Sequence, residues 1–217
     1  MSDPANRWLT GRRIDPSPVR KGIAAADLVD ETFLAYNAGR LQKAARLFAE
    51  KMLAPESWVG MSVAGALTPA GLGRSVIVPL IRAGFVDWIV STGANLYHDA
   101  HFGLGLELRQ GDHRADDRRL REDGVVRIYD VLFDYRVLLR TDAYLREVLR
   151  GPEFQKDMST AELHHLLGKY LAAREDELSL SDTCVLSTAY RCGVPCYVSS
   201  PGDSSIGMNV AERWMKS

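Results

Sequence analysis

One stretch concentrates small and hydrogen-bonding side chains: Val86-Asp-Trp-Ile-Val-Ser-Thr-Gly-Ala-Asn-Leu-Tyr-His-Asp99. Ser91, Thr92, Gly93 and Ala94 are all small, so a ligand can approach the backbone closely there. Asn95, Tyr97, His98 and Asp99 follow as a dense set of donors and acceptors. His98 can bond a hydroxyl or an amine, move a proton near neutral pH, or simply anchor a loop. A second set is Ser199-Ser-Pro-Gly-Asp-Ser-Ser205. Asp203 can bind a hydroxyl or an ammonium group, or cap the helix that follows. Ser204 and Ser205 have no histidine and acid nearby in sequence, so a serine nucleophile is not expected.

Other reactive types fit bland roles. Gly71-Leu-Gly73 begins a G-x-G-x-x-G pattern, but Val76 occupies the third glycine position and the fingerprint fails. His101 and His113 fall in polar stretches read as loops without a specific task. His164 and His165 are adjacent on a helix, face different ways and do not form a metal pair. Cys184, Cys192 and Cys196 lack C-x-x-C spacing, so neither a disulfide framework nor a zinc site is expected, and all three read as core residues. Helix N-termini near Thr68 and Ser204 can hold phosphate through free N–H groups.

The elements that would position these residues alternate. Val86–Val90 is a short apolar, β-branched run, read as a buried strand. Ser57–Gly65 is an earlier strand ending in small residues, and Val194–Ser200 a later one. Thr68 with Pro69 starts a helix between the first two strands, kinked at Pro79 and stopped near Gly84. Val125–Val131 alternates like one further strand. Arg109–Asp123 is a charged loop with a short helix. Asp142–Arg150, the helix opened by the capping box Ser159-Thr-Ala-Glu162, and a helix from Asp182 or Thr183 to Gly193 complete the middle. A last helix begins after Ser205. Before all this, Ala24–Leu53 reads as two helices broken at Asn37-Ala-Gly39. Strand, helix, strand predicts an α/β fold with a mostly parallel sheet and helices on both faces. Three strands that finish in small and polar residues give one shared rim, the usual ligand edge of open α/β sheets.

The totals exclude several classes. A chain of 217 residues, 46% hydrophobic and 25% charged, suits a soluble globular protein. A net charge of −1 gives no reason to expect nucleic acid or an anionic membrane as partner. No apolar run approaches the roughly 18–20 residues that span a bilayer. Three cysteines without a framework, and no signal-peptide core, point to the cytoplasm. Residues 1–20 are polar and proline-bearing, an extended arm before an α/β domain over residues 21–217.

Three phrases carry a resemblance. Ala64-Gly-Ala-Leu-Thr-Pro-Ala-Gly-Leu72, Val90-Ser-Thr-Gly-Ala-Asn-Leu-Tyr-His-Asp99 and Leu120-Arg-Glu-Asp-Gly-Val-Val-Arg-Ile-Tyr-Asp130 together resemble the deoxyhypusine synthase family, particularly its archaeal and bacterial branch. Val194–Gly207 resembles the family's later strand and aspartate-serine loop. The resemblance implies a Rossmann-like fold, NAD as cofactor, and homotetramers with sites between subunits. It implies transfer of the 4-aminobutyl group of spermidine through an imine and an enzyme lysine. The acceptor is a translation-factor lysine, or putrescine in homospermidine-forming relatives. By position it assigns Thr92, Gly93, Ala94, His98, Asp99, Asp203 and Ser205 to the cofactor.

The sequence also departs from the family. Met208 stands where an acidic polyamine contact is expected. The glycine-rich NAD stretch and the catalytic lysine segment of the family lack counterparts, so the chain corresponds to the N-terminal two-thirds. None of Lys21, Lys43, Lys51, Lys156, Lys169 and Lys216 lies in a matching context. The leading expectation is therefore an aminobutyltransferase of this type. The alternatives are a non-catalytic relative that binds NAD or a sister subunit, and an α/β domain with an unrelated ligand. An incomplete sheet predicts an exposed edge and, with it, poor solubility or obligate association.

Overall fold

A computed structural model describes residues 8–215, and the chain divides into two compact units after Ser57. In the first unit residues 9–20 are exposed and carry no helix or strand, while residues 1–7 lie outside the described part. Helices α1 (Ala25–Thr32) and α2 (Tyr36–Leu47) follow, and α2 widens into an i→i+5 turn over Phe48–Met52. The Gln42 side chain donates to the carbonyls of Val29 and Asp30, tying α2 to the end of α1. The break between the helices falls at Phe33–Ala35, not at Asn37-Ala-Gly39. Gly39 is buried inside α2, where a Cβ would press on the Leu34 backbone at 3.1 Å. It serves close packing rather than chain reversal.

The second unit holds a three-stranded parallel sheet: β1 (Gly60–Val63), β2 (Trp88–Ser91) and, last in the chain, the strand Cys196–Val198. The spatial order follows the sequence order, with β2 in the centre. Val63 pairs with Ser91, and Ser91 with Val198, so the three strands end level. The strands are shorter than their apolar runs because Val59 and Val86 are buried just ahead of the ladder. This α/β architecture, a parallel sheet with helices, is the one the alternation predicted, and it is consistent with the Rossmann-like fold that the resemblance implied.

Each step along the sheet goes the same way, so right-handed crossovers bring the connecting helices to one face. Val63, Ile89, Cys196 and Val198 are buried on that face. On the other, Ser62, Trp88 and Tyr197 are exposed. Trp88 lies across Gly60, where any side chain would collide with its ring, and meets Tyr197 edge to face at 6.5 Å.

The first crossover is not one kinked helix. Thr68–Ala70 makes a single tight turn, Gly71 takes φ +84°, and a wide turn over Gly73–Ile77 leads into α3 (Val78–Arg82). Pro79 sits in the first turn of α3, where its missing N–H costs nothing.

The larger surprise is α4 (Gly93–Gly103), which starts two residues after β2 ends. The phrase read as a polar loop is a helix. Asn95, Leu96, Tyr97, Asp99, Ala100, His101 and Gly103 are all buried. A helix enclosed on most sides has no polar stripe to reveal its period.

A second, antiparallel sheet comprises β3 (Arg109–Gln110), β4 (Val125–Ile128) and β5 (Val131–Asp134), in the order β3-β5-β4. The run expected to be one strand is thus a hairpin, turned at Tyr129 with φ 55°. No glycine or proline marks that turn. The strand Cys196–Val198 is β6. Among the remaining helices, α5 (Asp117–Glu122) is capped by Asp116, and α6 (Tyr135–Val148) by Asp134, seven residues before its expected start at Asp142. Ser159 caps α7 (Thr160–Glu177) as the capping box predicted, and left-handed Gly193 closes α8 (Val185–Cys192). Helix α9 spans Ser205–Met215. Among the described residues no helix is long and apolar enough to cross a membrane.

Candidate functional site at the strand ends

Because the strands end level, their following segments lie side by side. Ala64–Leu67 after β1 is exposed, Thr92 and Ala94 after β2 are half-buried, and Ser199–Asp203 after β6 is exposed. The result is a shelf with α4 and α9 both starting at it. Thr92 stands at the N-cap of α4 in extended conformation, and its side chain makes no capping bond to the first N–H groups of the helix. Gly93 packs directly on Ser204: a Cβ there would collide with the Ser204 side chain. Ser204 is buried, and its Oγ has no hydrogen-bond partner among the described residues. A buried hydroxyl left unpaired beside an open helix N-terminus is costly unless a ligand completes it.

Asn95 fixes the shelf from beneath. Its Oδ1 accepts from the backbone N–H of Leu67 at 3.0 Å, its Nδ2 donates to Thr92 Oγ1 at 3.2 Å, and its carbonyl accepts from Thr68 Oγ1 at 2.7 Å. One buried side chain thus locks the loop after β1 to the start of α4. A parallel network fixes α9. Tyr97 donates to Asp142 Oδ1 at 3.0 Å, while Asn209 Nδ2 donates to the same Asp142 oxygen at 2.9 Å and to the Ser205 carbonyl at 2.7 Å. Burial, followed by the neighbouring Asp142, raises the Tyr97 phenol well above its ordinary range, so it stays a donor.

The structure therefore gathers Thr92, Gly93, Ala94, Asp203 and Ser205 at one rim. Asp99 is carried away from it, because the segment is helical, while His98 follows Ala94 by one turn on the same face of α4. His98 lies five residues into α4, about 7.5 Å along its axis, with its ring against Phe133 and its Nδ1 3.1 Å from His101 Nε2. Asp99 is fully buried and turns toward α8, where Oδ2 accepts from the Val185 N–H. Its other oxygen is unpaired beside Gly73, and burial raises its carboxyl to about 7. Asp99 thus acts as a distant cap for α8. Met208 is exposed on α9.

Some bland assignments also change. His101 is fully enclosed rather than looped out, and its Nδ1 meets Thr141 Oγ1 at 2.8 Å. Cys192 is exposed, whereas Cys184 and Cys196 are buried as expected. His164 is buried and His165 exposed, diverging as adjacent helical residues must. The sequence reading missed Asn95 as the shelf's anchor and Ser204 as its orphan hydroxyl. Only their position at a strand end hinted at either. Among the described residues no three His, Cys, Asp or Glu side chains form a metal-binding group.

What the shelf offers is specific. Two helix N-termini, each carrying partial positive charge, meet at Gly93 and Ser204, and this favours phosphate. The small residues let a flat ligand lie against the backbone, and Asp203 provides a carboxylate at the open side. The orphan Ser204 hydroxyl and the cradle that a Gly93 side chain would fill fit a dinucleotide such as NAD.

The chain is 55% identical over 203 residues to a deoxyhypusine synthase-like protein of Cyanothece sp., covering 94% of this chain and 51% of that protein. A deoxyhypusine synthase-like protein of Nostoc punctiforme is 54% identical over 201 residues, 93% of this chain and 52% of its own length. The chain thus spans about half of these curated relatives, less than the two-thirds expected. A solved structure from Entamoeba histolytica assigned to deoxyhypusine synthase superposes with a TM-score of 0.60 over 92% of this chain and 66% of its own, at 15% identity. That likeness supports the fold. The family model described as deoxyhypusine synthase matches residues 28–216, nearly the whole of the second unit and the latter part of the first, and the chain belongs to the deoxyhypusine synthase family.

Proposed function

We propose that this chain forms the NAD-holding part of an enzyme that transfers the 4-aminobutyl group of spermidine to an acceptor amine. The observation that carries the reading is the meeting of α4 and α9 at Gly93 and Ser204, in a chain of this family. The backbone N–H groups at the start of α4 and the Ser204 hydroxyl would hold the phosphates. Thr92 and Ala94 would lie against the cofactor, with Asp203 and Ser205 binding a ribose hydroxyl or a polyamine ammonium. The cofactor supplies reversible hydride acceptance beside an amine. Asn209 holds the Ser205 carbonyl from α9's buried side.

The shelf is open outward, and imine chemistry needs water excluded. A second copy of the chain would close it, which is the reading of a homo-oligomer. The acceptor would be a translation-factor lysine or putrescine. The free cysteines suit a cytoplasmic setting.

A second reading has its own support. In residues 58–215 the two lysines, Lys156 and Lys169, are paired with Glu162 and Glu153. Neither is poised to receive an aminobutyl group. The chain alone then binds NAD or a sister subunit without turnover. Calorimetric titration with NAD, alongside assays for NADH and for 1,3-diaminopropane release from spermidine, separates the readings. Binding with turnover supports the transferase, and binding without turnover supports the non-catalytic relative. A folded chain that ignores NAD overturns the transferase and the NAD-binding relative, and leaves a sister subunit or an unrelated ligand as the partner.

A further inference from the structure

A chain of three side chains runs inward from His98. His98 Nδ1 lies 3.1 Å from His101 Nε2, and His101 Nδ1 lies 2.8 Å from Thr141 Oγ1. Thr141 Oγ1 in turn lies 2.9 Å from the Val137 carbonyl, one turn back on α6. His101 and Thr141 are fully buried and His98 half-buried. His98 Nε2 has no partner in the described residues and is not among the buried unpaired atoms, so it is not fully enclosed.

The proton order along this chain follows from counting donors. A threonine hydroxyl has one proton, and a neutral imidazole has one N–H. If Thr141 donates to Val137, it must accept from His101 Nδ1–H. His101 Nε2 is then a bare acceptor, which takes the proton of His98 Nδ1–H, and His98 Nε2 is left with its lone pair. All three contacts are hydrogen bonds. In the reverse order Thr141 gives its proton to His101, and the contact with Val137 is lost. A buried site favours the order that keeps every bond.

We propose that His101 and Thr141 are positioning residues that hold His98 as the Nδ1–H tautomer, presenting Nε2 outward as a neutral acceptor for a ligand's hydroxyl or ammonium donor. Free imidazoles in water carry no such constraint. The groups packed on His98 leave the arrangement undisturbed: Tyr97 and Phe133 touch its ring edge-on, and His101 is the titratable neighbour. Burial lowers the basicity of both histidines, so the pair stays neutral at pH 7. Only the identity of the donor rests on the proposed function; the tautomer does not.

The test is nitrogen-15 NMR of the full chain at pH 7, comparing wild type, Thr141→Val and Thr141→Ser. Valine is close to threonine in volume but carries no hydroxyl. The expected wild-type spectrum has a protonated Nδ1 and a bare Nε2 on His98. Thr141→Val shifts the His98 population toward Nε2–H, and Thr141→Ser restores the wild-type pattern. A wild-type His98 protonated at Nε2, or a tautomer indifferent to Thr141→Val, overturns the proposal. Separate additions of NAD and spermidine then show which donor displaces the Nε2 signal. If the Gly93 amide shifts with either ligand while His98 does not, the outward-acceptor role is wrong. If NAD moves neither signal, the proposed function fails while the tautomer result still stands or falls by itself.

Discussion

Gly93, at the start of α4, and Ser204, just ahead of α9, are packed so closely that a side chain at Gly93 would collide with Ser204. This contact joins the segments after β2 and β6 and brings two helix N-termini to one point. Gly93→Ala therefore pushes a methyl group into a buried hydroxyl and should cost ~1–3 kcal/mol in unfolding free energy. NAD affinity should fall at least tenfold. The double variant Gly93→Ala with Ser204→Gly should recover most of the stability, read by denaturant melts, without recovering affinity.

Ser204→Ala separates stability from binding. The hydroxyl is buried and unpaired, so its removal should leave stability unchanged or raise it by up to ~1 kcal/mol. If the hydroxyl serves a phosphate, calorimetry should show a five- to thirty-fold loss of NAD affinity, as about 1–2 kcal/mol implies. Unchanged affinity would remove Ser204 from the site.

Asp99 gives a pH signature. Burial raises its carboxyl from 3.8 to about 7 in the folded chain. A raised carboxyl binds protons better folded than unfolded. Its favourable contribution is complete below about pH 4 and is lost as pH rises to about 7, on the order of a few kcal/mol. Asp99→Asn keeps an acceptor for the Val185 N–H and cannot ionise. The melting temperature of the wild type should therefore fall relative to Asp99→Asn between pH 4 and pH 7, and the gap should stay constant above that window.

Glu175 behaves in the opposite sense. Its side chain is fully buried, yet it accepts from the Thr183 N–H and hydroxyl, the Cys184 N–H and the Ser187 hydroxyl, and pairs with Arg191 at 2.6 Å. Burial alone would raise its carboxyl, but these bonds outweigh it and hold the value below the usual glutamate range. Its contribution is present at neutral pH and lost on acidification. Glu175→Ala strands the donors at the start of α8 and should destabilise by ~3–5 kcal/mol, measured by chemical denaturation at pH 7.

The sheet face bearing Trp88 and Tyr197 tests association. Parallel sheets are normally covered on both faces, yet Trp88 is 40% and Tyr197 43% exposed. A homo-oligomer would cover them. Sedimentation should show a species larger than one chain, and the double change Trp88→Thr with Tyr197→Thr should reduce it. A wild-type monomer at micromolar concentration would sink this expectation.

The amino-acid sequence determined the alternation of strands and helices, the small residues at each strand end, the cap at Ser159 and the stop at Gly193. These are local properties: β-branched runs, capping side chains and a left-handed glycine act within a few residues of themselves. The same locality made Thr92, Gly93, Ala94, Asp203 and Ser205 legible as a common edge. Tertiary structure alone decided that Asp99 leaves that edge. Helix α4 is enclosed on most sides, so its period is hidden, and a helix turns each successive side chain by about 100°. It decided, too, that Ser204 rather than a fingerprint glycine meets Gly93. That contact depends on the pairing of β6 beside β2, more than a hundred residues away in the chain, and no local pattern encodes such a neighbour.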